Sequence, residues 1–149
     1  MLVAALVLAG CATPTPTRPV RQAQPNDATI YIYRPSSLAL GARDAYISVN
    51  GLEVAPLANG SYFVLRVPEG AYVIEQKWAW DIQMGKAPLK LPALELKKQQ
   101  KRYLRFSTEA GRRYVYNGIS LDYGIEEVSE TIALSETGAG QLKQVGAAP

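Results

Sequence analysis

Serine, carboxylate, cationic and aromatic side chains are the groups from which this sequence could build a site. Ser36, Ser37 and Ser61 stand in or beside turn-forming stretches. A serine nucleophile needs a base to take its proton, and the 149 residues include no histidine. Neither a Gly-x-Ser-x-Gly elbow nor a Ser-x-x-Lys pair is present, so Ser61 reads as a turn support. Glu126, Glu127 and Glu130 form a local acidic group. Glycoside cleavage needs two carboxylates facing across a cleft, whereas adjacent strand residues point to opposite faces. The group therefore reads as a solvated acidic face. Lys97, Lys98, Lys101, Arg102 and Arg105 form a basic run, with Arg112 and Arg113 close behind. On two strands joined by a turn, these cations would suit the phosphates or carboxylates of an anionic envelope partner. The plainer alternative is solubilising charge that guards edge strands. Trp78 and Trp80 lie two apart and share a face if extended. Beside the irregular stretch 81–92 they suit an aromatic platform for sugar rings, or else the core face of a sandwich.

The single cysteine, Cys11, rules out a disulfide within the chain. With histidine also missing, the commonest metal ligands are gone. The glycines sit singly at turns and make no phosphate-cradling loop. No metal and no cofactor is expected. The net charge of +3 is mild. A nucleic-acid protein concentrates a basic stripe, so no nucleic-acid partner is expected.

Cys11 has a sharper reading. Residues Leu2–Gly10 are apolar or small. They are far too short to span a bilayer, which takes about 20 apolar residues, but they suit the apolar part of a secretory signal. Leu8-Ala9-Gly10-Cys11 resembles the bacterial lipobox. That resemblance implies cleavage before Cys11 and a lipid on its thiol. No Lys or Arg precedes Cys11, a departure that points to a start assigned too far downstream. Each buried CH₂ contributes about 0.8 kcal/mol, so two or three acyl chains hold firmly where one binds reversibly. Ala12 after the cysteine favours the outer membrane under the sorting rule the resemblance brings with it.

The elements that must position these groups follow. Residues 1–10 read as the signal segment, and 11–27 as the lipidated cysteine with a Pro-rich tether containing Pro14, Pro16, Pro19 and Pro25. Such a tether extends by about 3.1 Å per residue. Residues 28–135 read as the folded domain and 136–149 as a flexible tail. Strands are expected over Thr29–Arg34, Tyr46–Val49, Leu52–Leu57, Ser61–Val67 and Ala71–Trp80, and then more briefly around Leu94–Lys97, Tyr103–Phe106, Arg113–Tyr116 and Ile119–Leu121. In the fourth, Tyr62, Val64 and Arg66 share one face while Phe63, Leu65 and Val67 share the other. Asn50-Gly51 marks a hairpin, because both positions want positive φ. Asn59-Gly60, Pro68-Glu69-Gly70 and Glu109-Ala110-Gly111 mark further turns. Glu126–Leu134 fits either a helix or a closing strand. The fold class predicted is mainly β, a small antiparallel sandwich of about seven strands.

The series Tyr31-Ile-Tyr-Arg-Pro35, Val49-Asn-Gly51, Leu57-Ala-Asn-Gly-Ser-Tyr-Phe63 and Val67-Pro-Glu-Gly-Ala-Tyr72 resembles a family of short bacterial envelope lipoproteins with a β-rich domain of unknown function. Its Pro-Glu-Gly-Ala-Tyr piece also resembles a turn of prealbumin-like surface sandwiches. The resemblance covers roughly Thr29–Phe106 and implies a compact envelope sandwich, with no catalytic residues to transfer. Taken together, the residues lead us to expect a non-enzymatic lipoprotein. It would be anchored in the envelope, with the outer membrane favoured, and would bind a protein or polymer partner. A small glycan-acting enzyme and a sugar or lipid carrier are the alternatives.

Overall fold

Alternation with a period of two drives the chain into strands from Ala28 onward, and the structure, a computed structural model, describes residues 23–78, 88–116, 119–138 and 142–144. The strands are β1 (Ala28–Arg34), β2 (Ala45–Val49), β3 (Leu52–Leu57), β4 (Ser61–Val67), β5 (Gly70–Tyr72), β6 (Ile74–Trp78), β7 (Leu89–Lys90), β8 (Leu94–Leu96), β9 (Lys101–Tyr116) and β10 (Ile119–Val128). A helix, α1 (Glu130–Thr137), and a short strand, β11 (Lys143–Gln144), follow. The protein is a small, mainly β sandwich. A five-stranded sheet runs β10-β9-β1-β4-β11, a four-stranded sheet runs β3-β2-β6-β7, and β5 pairs with β8. Most pairings are antiparallel, but β1 lies parallel to β9, and β11 parallel to β4.

The inward set of each strand forms the core. Ile30 and Ile32 of β1, Phe63 and Leu65 of β4, and Leu104 and Phe106 of β9 meet Ile47 of β2, Leu57 of β3, and Ile74 and Trp78 of β6. Each buried aliphatic or aromatic side chain contributes roughly 1.5–3 kcal/mol from area removed from water. Asn50 (φ 51°) and Gly51 (φ 78°) make the predicted hairpin between β2 and β3. The Asn50 side chain also accepts from the Val73 N–H at 2.8 Å, while its own N–H donates to the Val73 carbonyl at 2.9 Å. This double contact at Val73 divides the expected strand 71–80. β5 turns to β8, and β6 joins β2 and β7.

Arg34 ends β1 pointing inward and is fully buried. Its guanidinium donates to the carbonyls of Arg43 at 2.6 Å, Leu40 at 2.8 Å and Leu57 at 3.4 Å. It also lies 5.5 Å from the Trp78 ring and 5.7 Å from that of Phe106. A charge in the core is tolerable only when hydrogen-bonded. Both terminal nitrogens are engaged, while Nε meets no partner among the described residues. The guanidinium gathers the 35–44 loop against the sheets.

Two expectations need correction, and one open alternative is resolved. No turn forms at 109–111. β9 runs on to Tyr116, the reversal falls between Tyr116 and Ile119, and a register shift follows between Ser120 and Leu121. The ambiguous 126–134 stretch divides. β10 continues to Val128, and Ser129 then caps α1, its side chain accepting from the Ile132 N–H. Residues 136–137 and 143–144 belong to elements and not to a free tail. Glu136 and Thr137 complete the helix, and the Lys143 N–H donates to the Gly60 carbonyl at 2.9 Å as β11 begins.

Candidate functional site

The outward set of the five-stranded sheet is rich in tyrosine. Cross-strand partners share a face, so the register fixes the rows. Tyr33 stands between Tyr62 of β4 and Arg105 of β9, and Tyr31 between Val64 and Tyr103. Thr29 in turn stands between Arg66 and Lys101. The Tyr31 and Tyr103 rings stack with centroids 4.8 Å apart and planes 11° from parallel. α1 then folds back across these rows. Ala133 is its one buried residue and packs with Tyr33 and Tyr103.

Polar contacts hold the helix there. The Tyr33 hydroxyl donates to Glu136 Oε2 at 2.6 Å, and the Tyr103 hydroxyl to Glu130 Oε1 at 2.6 Å. Arg105 donates to Glu136 at 2.5 Å and forks onto Glu126 at 2.7 and 3.1 Å. Burial, and then the bonded carboxylate, push both tyrosine hydroxyls well above the usual phenol range. The Arg105 guanidinium is held above its usual range by the Glu126 hydrogen bond first, with Glu136 adding to it against burial.

Between sheet and helix lies a half-open cleft of about 370 Å³. Tyr31, Tyr33, Tyr62 and Tyr103 floor it, Ala133, Leu134, Thr137 and Leu142 cover it, and Lys101 and Glu130 also line it. That volume falls in the range of small-ligand sites, as does the mix of aromatic wall and few polar groups.

The basic run separates in three dimensions. Arg102 pairs with Glu127, Arg105 with Glu126 and Glu136, and Lys98 with Glu69. Lys97 lies in the turn before β9 with its backbone N–H on the Gln100 side chain. Lys101 alone of the five lines the cleft. The acidic group is exposed, as expected of a solvated face, and its members also pair with cations and with the Tyr103 hydroxyl. Trp78 does not form a surface platform. It is 3% exposed and makes edge contacts with Phe106 and Tyr123 at 5.4 and 5.6 Å. Trp80 and Cys11 lie outside the described residues.

Sequence reasoning missed the tyrosine floor. The signal was there in Tyr31-x-Tyr33, and in Tyr62 on the polar face of its strand. Joining them required the β1–β9 pairing. Among the described residues no helix is long and apolar enough to cross a membrane, and no acidic or sulfur side chains gather in threes to hold a metal ion. No family model and no curated protein matches the chain.

Proposed function

We propose that this chain is an envelope lipoprotein, anchored through a lipid on Cys11, that works by binding and not by catalysis. The cleft under α1 is its ligand site. The observation that carries this reading is the tyrosine floor beneath a helix held by polar contacts. Aromatic rings offer large contact area at little rotamer cost, and their hydroxyls add direction. The Tyr33 and Tyr103 phenols are protonated at neutral pH and act as donors to Glu136 and Glu130. The lipobox-like Leu8–Cys11 and the Pro-rich 12–27 stretch support a tethered module facing an envelope polymer or protein, with the outer membrane as its address.

The test is mass analysis under native conditions of protein extracted gently from envelopes, comparing wild type with Tyr31→Ala and Tyr103→Ala. A co-purifying species lost in both variants supports the cleft. A species retained equally by all three proteins places binding elsewhere.

A further inference from the structure

The row at the end of the cleft floor separates one ligand class from another. Thr29 has Arg66 as its partner on β4 and Lys101 as its partner on β9, so all three share the outer face. Strands lie about 4.8 Å apart, which places the two cationic residues about 10 Å apart at the backbone, one on each side of β1. Both are exposed, and neither makes an ion pair with a described carboxylate. Arg102 and Arg105 on the same strand are both neutralised by glutamates. Next to this row stand the stacked rings of Tyr31 and Tyr103, and Glu130 accepts the Tyr103 hydroxyl through one oxygen.

The backbone under the stacked rings is committed, because β9 pairs with β10 and β1, and β1 with β9 and β4. β4 is covered by β11 only at Ser61 and Tyr62. An extended peptide binds a sheet by adding a strand at a free edge, and β1 and β9 offer none. Over these two strands recognition falls to side chains. Tyr33 and Tyr103 are buried, so the half-buried rings of Tyr31 and Tyr62 supply the contact for the C–H surface of a sugar. Glu130 supplies a carboxylate oxygen for its hydroxyls, and Arg66 and Lys101 two separated cations for an acidic substituent.

Resting on the cleft reading above, we infer that the ligand is an acidic saccharide, its sugar rings lying along the tyrosine floor and its carboxylate held at the Arg66–Thr29–Lys101 row.

The experiment is calorimetric titration of the full chain in non-ionic detergent. The probes are a tetrasaccharide of uronic acid residues, a neutral tetrasaccharide of matched length, and a tetrapeptide with a free carboxylate. The acidic sugar should bind at least ten-fold more tightly than the neutral one, and the preference should shrink as salt rises. Lys101→Ala and Arg66→Ala should each weaken the acidic sugar about five-fold and the neutral sugar by about two-fold at most. Tyr31→Ala should weaken both, with Tyr31→Leu as a second variant should the alanine protein lose its thermal transition. Equal binding of both sugars, insensitive to Lys101 and Arg66 but lost in Tyr31→Ala, would overturn the acidic assignment and leave the cleft reading intact. Tighter binding of the tetrapeptide overturns the saccharide class. If no probe binds, the saccharide assignment fails. Should wild type, Tyr31→Ala and Tyr103→Ala then also retain the same species from envelopes, the cleft reading fails with it.

Discussion

Arg34 shows how one side chain can organise a region it never leaves. Burial lowers its guanidinium to about 10, with Asp44 opposing, so it stays charged at neutral pH. Its three carbonyl partners come from the 35–44 loop and from the end of β3. Arg34→Met would strand those carbonyls, and we expect a loss of about 3 kcal/mol in urea unfolding at neutral pH. Gln76 presents the reverse case. It is 1% exposed, and neither its amide nitrogen nor its oxygen meets a partner among the described residues. Gln76→Met should therefore leave stability unchanged or raise it by about 1 kcal/mol. A drop of comparable size in the thermal midpoint would show that the amide is satisfied in solution. At this scale the sequence was legible where parity decided the matter. Phe63 and Leu65 are buried, and Tyr62, Val64 and Arg66 face out, as alternation requires. It was not legible for Trp78, because two tryptophans on one strand face look the same whether that face meets solvent or a second sheet.

Helix α1 is attached more by polar contacts than by apolar burial. Ile132 and Leu134 are exposed, and only Ala133 is buried. Tyr33 and Tyr103 have folded-state pKa values raised above the ordinary 10.0 by burial and then by the bonded glutamates. Their contribution is complete below about pH 10 and is lost as pH climbs toward the raised folded values, because the unfolded chain ionises first. Arg34 acts in the opposite sense over an overlapping window, since its lowered folded value relieves its burial cost as pH rises above about 10. Denaturation midpoints measured from about pH 8 to about pH 11 should thus be compared between wild type and the double variant Tyr33→Phe/Tyr103→Phe. The variant should start about 2 kcal/mol less stable and decline less steeply above about pH 10. Parallel curves would mean that the two hydroxyls ionise freely. The helix itself was half legible. Ser129 followed by apolar Ile132 suits a cap, but the short stretch buries so little that strand and helix patterns both fit it. The long β9–β10 hairpin hid for another reason. Glu109-Ala110-Gly111 has turn composition, yet Glu109 and Ala110 pair with Asp122 and Leu121 of β10 and the strand runs on through Gly111.

On the scale of the molecule, the sequence indicated a mainly β sandwich, because turn residues recur at short intervals between alternating runs. It could not indicate that β1 and β9 lie side by side in parallel, a pairing that joins residues more than seventy positions apart. The cleft depends on that pairing, so it stayed hidden. For the anchor, Cys11→Ala expressed behind a complete signal should move the protein from the membrane to the soluble envelope fraction and abolish incorporation of a labelled fatty acid, with the urea midpoint unchanged. Continued membrane sedimentation of unlabelled protein would refute lipid anchoring.

The place where the chain enters β1 has a mechanical consequence. Asn26 is already tied to Gln99, Thr29 to the Gln100 carbonyl, and β1 is hydrogen-bonded along both sides. Tyr31 and Tyr33 of the cleft floor belong to this same strand. Tension between a bound polymer and a bilayer would run along a few residues of one central strand. Its neighbours β4 and β9 brace it on both edges.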